Sequence, residues 1–190
     1  TTTPNTPNTF LATKEQYEDF ELQFDVKIHE GLNSGVQIRS ISDPAINKGR
    51  VHGYQVEIED SDRGWAAGIY DEARRGWLYP VDRNPTALRT FKKVEWNHYH
   101  IVAKGDTLRT WLNGTPIARL VDNMTASGLI GFQVHGIGGN MDQADLPIQW
   151  KDIRIKTDNV GGNIPIGIAP LVEMVPAVDT SLSEFIIQDG

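Results

Sequence analysis

Cysteine is absent from the 190 residues, which removes disulfide staples, thiol catalysis and cysteine-ligated zinc together. The compartment stays open, because cytoplasmic and exported proteins both manage without cysteine. No apolar run approaches the ~20 residues of a membrane helix, and the opening TTTPNTPNTF is too polar to be a signal peptide. An exported form of this chain would therefore be a processed one. Basic residues are also short: 18 Lys and Arg against 25 Asp and Glu leave a formal net charge of -7. Nucleic-acid binding needs a basic face with interleaved aromatics, and DEARRGW holds only a local arginine pair. The sequence has no G-x-S-x-G, P-loop, H-E-x-x-H or dinucleotide fingerprint. Capped stretches with a helical period are missing as well.

What is present is alternation. FELQFDVKIH, residues 20–29, sets Phe20, Leu22, Phe24, Val26 and Ile28 against Glu21, Gln23, Asp25, Lys27 and His29, the pattern of a half-buried strand. VQIRSI, GYQVEIED, GLIGFQVHG and IQWKDIRIK read as further strands. WNHYHIVAKGDTLRTWLNGTPIARL reads as strands joined by tight turns at KGD and NG. Short strands at regular spacing, with 18 glycines and 10 prolines, predict an all-β sandwich over residues 1–157. Residues 61–80 are rich in Gly, Arg, Trp and Tyr without a period and read as a long functional loop. From residue 158 onward, Gly and Pro punctuate short apolar pieces, which predicts an extended tail.

The polar positions of three strands suggest a site. Gln37 and Arg39, then Gln55, Glu57 and Glu59, then Gln133 and His135 alternate with apolar partners. In one sheet they would share a face carrying amides, carboxylates, a guanidinium and an imidazole. Such a set suits a polyhydroxylated ligand, which needs paired donors and acceptors, and Trp65, Tyr70, Trp77 and Tyr79 could stack on sugar rings. The plainer reading is a solvated strand face and tryptophans that anchor their loop. His98 and His100 alternate on one strand without a carboxylate at ligand-like spacing, so they read as a solvated face.

NSGVQIRS, GYQVEIED, GIYDEARRGWLYP, EWNHYHIVAKGDTLRTWLNG, GLIGFQVHG and WKDIRIK together resemble the 3-keto-disaccharide hydrolase family over roughly residues 10 to 156. The resemblance implies a concanavalin-like jelly-roll, export by bacteria and action on 3-keto-glycosides. In that chemistry a ketone at carbon 3 acidifies the proton on carbon 2, and the glycosidic oxygen leaves by elimination before water adds back. It implies Glu57 or His135 as base or acid, with Gln37, Arg39, Gln55 and Gln133 holding oxyanion and hydroxyls and Tyr70 and Trp77 contacting substrate. Some relatives use a divalent cation, for which Glu57, Glu59, Asp60 and His135 are the available ligands.

One departure stands out. Family members usually begin with a segment of the form F-x-G-x-x-x-x-G-W and a strand, and this sequence has nothing comparable ahead of TFLATKEQYEDFEL. The expectation is that PLVEMVPAV or SEFIIQD supplies a replacement strand, in its own chain or in a neighbour. Three functions remain open at this point: an enzyme on 3-keto-glycosides, a non-catalytic carbohydrate-binding module, and a structural subunit assembling by strand exchange through Leu171, Val172, Met174 and Val175 or Phe185, Ile186 and Ile187.

Overall fold

The alternating stretches become strands because alternation gives each one an apolar face to bury. The structure is a computed structural model that describes residues 1–174. Twelve strands run β1 (Thr9–Ala12), β2 (Phe20–Ile28), β3 (Asn33–Ile41), β4 (His52–Glu59), β5 (Ile69–Glu72), β6 (Gly76–Tyr79), β7 (Asn97–Lys104), β8 (Thr107–Leu112), β9 (Thr115–Val121), β10 (Leu129–Val134), β11 (Ile148–Lys156) and β12 (Leu171–Glu173). Apart from short 3-10 turns, no helix occurs among the described residues.

The strands form two six-stranded sheets, ordered β1-β10-β3-β4-β5-β6 and β11-β2-β7-β8-β9-β12. All neighbours are antiparallel except β12, which lies parallel to β9. Phe20, Leu22, Phe24, Val26 and Ile28 are at most 1% exposed and meet Val36, Ile38, Val56, Ile58 and Phe132 of the first sheet in one core. Phe24 stacks on Tyr99 at 5.1 Å and meets Phe132 edge-on at 5.9 Å. The expected turns are present. Asn113 and Gly114, both at positive φ, close the β8–β9 hairpin, the geometry that favours Asn-Gly.

Residues 61–80 are not one long loop. Ile69–Glu72 and Gly76–Tyr79 pair as a hairpin that adds two strands to the first sheet. Its inward position Asp71 is charged, which hides the alternation. That carboxylate is fully buried because Arg74 and Arg75 both bind it, at 2.6 Å.

The tail crosses the outer face of the second sheet. Val160 packs on Val102 and Trp111 with Ile164 beside them, and Leu171–Glu173 then pair along β9 of the same chain. Val175, Phe185, Ile186 and Ile187 lie outside the described residues. The crossing also changes one histidine. His98 remains half exposed beside Asp25, whereas His100 is buried against Glu21, whose other oxygen accepts the Gly161 N–H. Burial pushes His100 below its ordinary range, against the pull of Glu21. Deleting residues 158–190 is expected to cost ~2 kcal/mol or more, the scale of one uncovered valine-sized side chain, read by urea unfolding. Sedimentation of both forms adds the assembly state: matching monomers confine the tail to its own chain, whereas an assembly lost on deletion assigns residues 175–190 to a neighbour.

Candidate functional site

Facing residues of paired strands share a face, and the register sets a polar row on the outer side of the first sheet. Gly131 faces Gln37, Gln37 faces Gln55, Gln55 faces Tyr70 and Tyr70 faces Trp77. One step along the strands, Phe10 faces Gln133 and Gly35 faces Glu57. The intervening side chains point into the core, so the strand alternation that builds the sandwich also builds this floor.

The floor is buried and directional. Gln55 Oε1 accepts from Gln37 Nε2 at 2.7 Å and from Gln133 Nε2 at 3.0 Å. Gln55 Nε2 donates to Glu57 Oε2 at 3.1 Å, and Asn33 Nδ2 donates to Glu57 Oε1 at 2.7 Å. Ser40 Oγ donates to Gln37 Oε1, which fixes the outer end of the chain of amides. Gln133 Oε1 has no protein partner among the described residues although it is buried. Gly35 makes this layer possible, since a Cβ there would sit 2.6 Å from Gln55 Cδ.

Above the floor is a cleft of about 220 Å³ lined by Asn33, Gln55, Glu57, Arg63, Tyr70, Glu72, Trp77 and His135. Burial pushes the Glu57 carboxyl up to about 7, with Asn33, Gln55 and Arg63 pulling the other way and Glu59 adding to the rise. Arg63 Nη2 is 3.8 Å from Glu57 Oε1 and 3.0 Å from Glu59 Oε2. Its guanidinium lies over Trp65 and Trp77 at 4.7 and 4.9 Å. Tyr70 meets Trp77 edge-on at 5.3 Å. His135, just beyond β10, has Nδ1 2.8 Å from the Gly136 carbonyl oxygen. A carbonyl only accepts, so Nδ1 carries a hydrogen, which leaves Nε2 as the nitrogen without a protein partner among the described residues.

Of the residues expected from the sequence, Gln55, Glu57, Tyr70, Trp77 and His135 line this cleft, while Gln37 and Gln133 lie beneath it. Arg39 does not. A β-bulge between Ile38 and Ile41, with Arg39 at φ 45°, turns it off that face. Its guanidinium donates to the Glu18 and Gly105 carbonyls and pairs with Asp19. Tyr79 is fully buried in the core and donates to the Pro170 carbonyl, and Trp65 is stacked beneath Arg63. The expected metal ligands do not converge. Glu59 is bound by Ser61, Arg63 and the Trp65 N–H, and Asp60 by the Gly31 N–H. Among the described residues no three His, Cys, Asp or Glu are grouped to hold an ion, so the donor set does not fit a divalent cation. Three lining residues, Asn33, Arg63 and Glu72, were not anticipated. Asn33 carried a signal, because Asn33, Gly35 and Gln37 alternate in step, whereas Arg63 sits in an aperiodic loop.

Solved structures share this architecture. A candidate glycosyl hydrolase from Parabacteroides distasonis ATCC 8503 aligns with TM-score 0.57 and 22% identity over 79% of this chain and 83% of that one. The carbohydrate-binding module CBM66 from Bacillus subtilis aligns at 0.53 and 14% over 79% and 82%. A B. subtilis protein of unknown function with a galectin-like fold aligns at 0.54 and 10% over 79% and 77%. These likenesses establish the jelly-roll sandwich. Among curated proteins, no sequence matches. The model of the 3-keto-alpha-glucoside-1,2-lyase-like domain matches residues 1–156, which include every residue of the cleft, and the chain belongs to that family.

Proposed function

We propose that the protein cleaves 3-keto-glycosides by elimination and rehydration, with the reacting ring in the cleft over Glu57. The observation that carries this reading is a buried carboxylate whose pKa is raised to about 7 at the floor of a polar cleft, the state of a general base working near neutrality. Glu57 takes the proton from carbon 2, and the electron pair of that C–H bond moves to the carbon-3 oxygen as an enolate. Arg63 stabilises the developing negative charge. Collapse of the enolate breaks the bond from carbon 1 to the glycosidic oxygen and leaves a 1,2-unsaturated ketone. The departing oxygen takes a proton, for which His135 on the rim is the donor once its Nε2 is protonated. Water then adds at carbon 1 and gives its spare proton to His135, while Glu57 returns its proton to carbon 2, so the net change is hydrolysis. Tyr70 and Trp77 provide the stacking wall. On this reading the protein works as an exported one.

Turnover of methyl 3-keto-glucoside by the wild type, Glu57→Gln and His135→Ala tests the assignment. Each substitution is expected to lower kcat about a hundredfold or more, and wild-type rates in both variants would remove the site from consideration. A second reading, carbohydrate binding without turnover, is favoured by the aromatic wall beside buried amides, and a carbohydrate-binding module is among the proteins of like fold. Saturable calorimetric binding of an unoxidised glycoside, with no product from its 3-keto form, would select it.

A further inference from the structure

The cleft over Glu57 does not end at Glu72. That side chain also lines a second cleft of about 570 Å³ between β1 and the loop before β4, with Phe10, Asn47, Lys48 and Arg50 around it. Phe10 faces Gln133 across the β1–β10 pair, so its ring belongs to the same face as the site. At the opposite end, Asn33 leads into a third cleft of about 330 Å³ that holds Glu30, Glu59, Asp60 and Asp62 against Lys93. The three clefts join through Glu72 and Asn33 into one groove, with Lys48 and Arg50 about its Glu72 end and the carboxylates about its Asn33 end.

The cationic end has a built character. Arg50 is held by Glu72 at 2.8 Å, which balances both charges. Lys48 has no ion-pair partner among the described residues, in a chain of net charge -7. Asn47, Lys48 and Gly49 all stand at positive φ, 45°, 57° and 81°. That conformation is costly for the two non-glycine residues, and such strain gathers at ligand clamps.

We propose, resting on the reading above, that this second cleft receives the leaving group, and that the leaving group it favours is a ring bearing a carboxylate. Phe10 takes the ring and Lys48 the carboxylate. The acidic end repels the same substituent, so the groove also sets the direction in which a glycoside lies.

The test uses a matched pair, the 4-carboxyphenyl and 4-carbamoylphenyl 3-keto-glucosides, assayed for kcat/KM, with the unoxidised glucosides titrated by calorimetry. The wild type is expected to prefer the acid by about two- to fivefold at low salt, the scale of one exposed charge contact. The preference should fall towards one in Lys48→Gln, and Phe10→Ala should weaken binding of both aryl glucosides. Equal affinity for acid and amide, or a preference that Lys48→Gln leaves unmoved, overturns the subsite. Turnover without preference sinks the subsite and leaves the catalytic reading standing. A calorimetric preference lost in Lys48→Gln, without turnover of either compound, does the reverse, and an absence of both binding and turnover ends both.

Discussion

Replacing Glu57 with glutamine is expected to make the protein more stable above neutral pH while it abolishes turnover. The carboxyl ionises near 4.5 when solvated and only near 7 in the folded protein. Between those values the native state holds a proton that the unfolded state has released. The contribution of Glu57 is therefore present in full below the lower value, falls as pH rises through the window, and is lost above about 7. At ~1.36 kcal/mol per pKa unit, the loss is about 3 kcal/mol. Glutamine resembles the protonated acid in shape and cannot ionise, so it should escape this loss. Urea unfolding of wild type and Glu57→Gln should coincide at acid pH and separate by up to ~3 kcal/mol at alkaline pH in favour of the variant. In the same range kcat/KM of the wild type should rise with pH through about 7, as the base becomes available. Curves that stay superimposed would mean that the carboxylate is not penalised by burial, and the general-base role would go with it.

Arg39→Met is expected to show the opposite division, a loss of stability with no change in KM. Arg39 is 1% exposed and ties the Glu18 and Gly105 carbonyls together with Asp19. Methionine fills much of the volume but donates to neither carbonyl, and because Glu18 and Gly105 are themselves exposed water can replace the lost donors, so each lost hydrogen bond should cost ~0.5–1.5 kcal/mol and the total about 2 kcal/mol. Among the described residues no hydrogen bond or ion pair joins Arg39 to the cleft, and protein that remains folded should bind substrate as before. A raised KM at unchanged stability would instead put the guanidinium in the cleft and show that the bulge is misplaced.

These two residues mark how far the sequence could be read. Strict alternation over residues 20–29 predicts a strand that the structure reproduces from Phe20 to Ile28, one residue short at its end, because each apolar residue there gains from the same buried face. The same rule placed Gln55, Glu57 and Gln133 together correctly. It failed at Arg39 because a bulge inserts a residue, and a slip of one residue exchanges the two faces of a strand. It failed at Ile69–Tyr79 because four-residue strands are too short to show a period and one inward position is an ion pair. Alternation also gives the side but not the depth. Gln37 and Gln133 are fully buried with both side-chain amides donating to Gln55 Oε1, which no single strand reveals. Arg63 enters the cleft from a loop whose path depends on Glu59 and two tryptophans, and nothing local announces it.

The glycines of the floor bear on how this site can change over generations. Gly35 and Gly53 are spaces already claimed by other groups: a Cβ would lie 2.6 Å from Gln55 Cδ at the first and 2.4 Å from Ser40 Oγ at the second. Any single substitution at either position displaces the layer that carries Glu57 or the bulge that anchors Arg39, and no smaller side chain exists to try. Mutational drift in such a domain is therefore channelled to the rim, where Phe10, Lys48, Tyr70 and Trp77 can be exchanged one at a time. Lineages built on this chain should diversify in the glycoside they accept while the chemistry at the floor stays frozen.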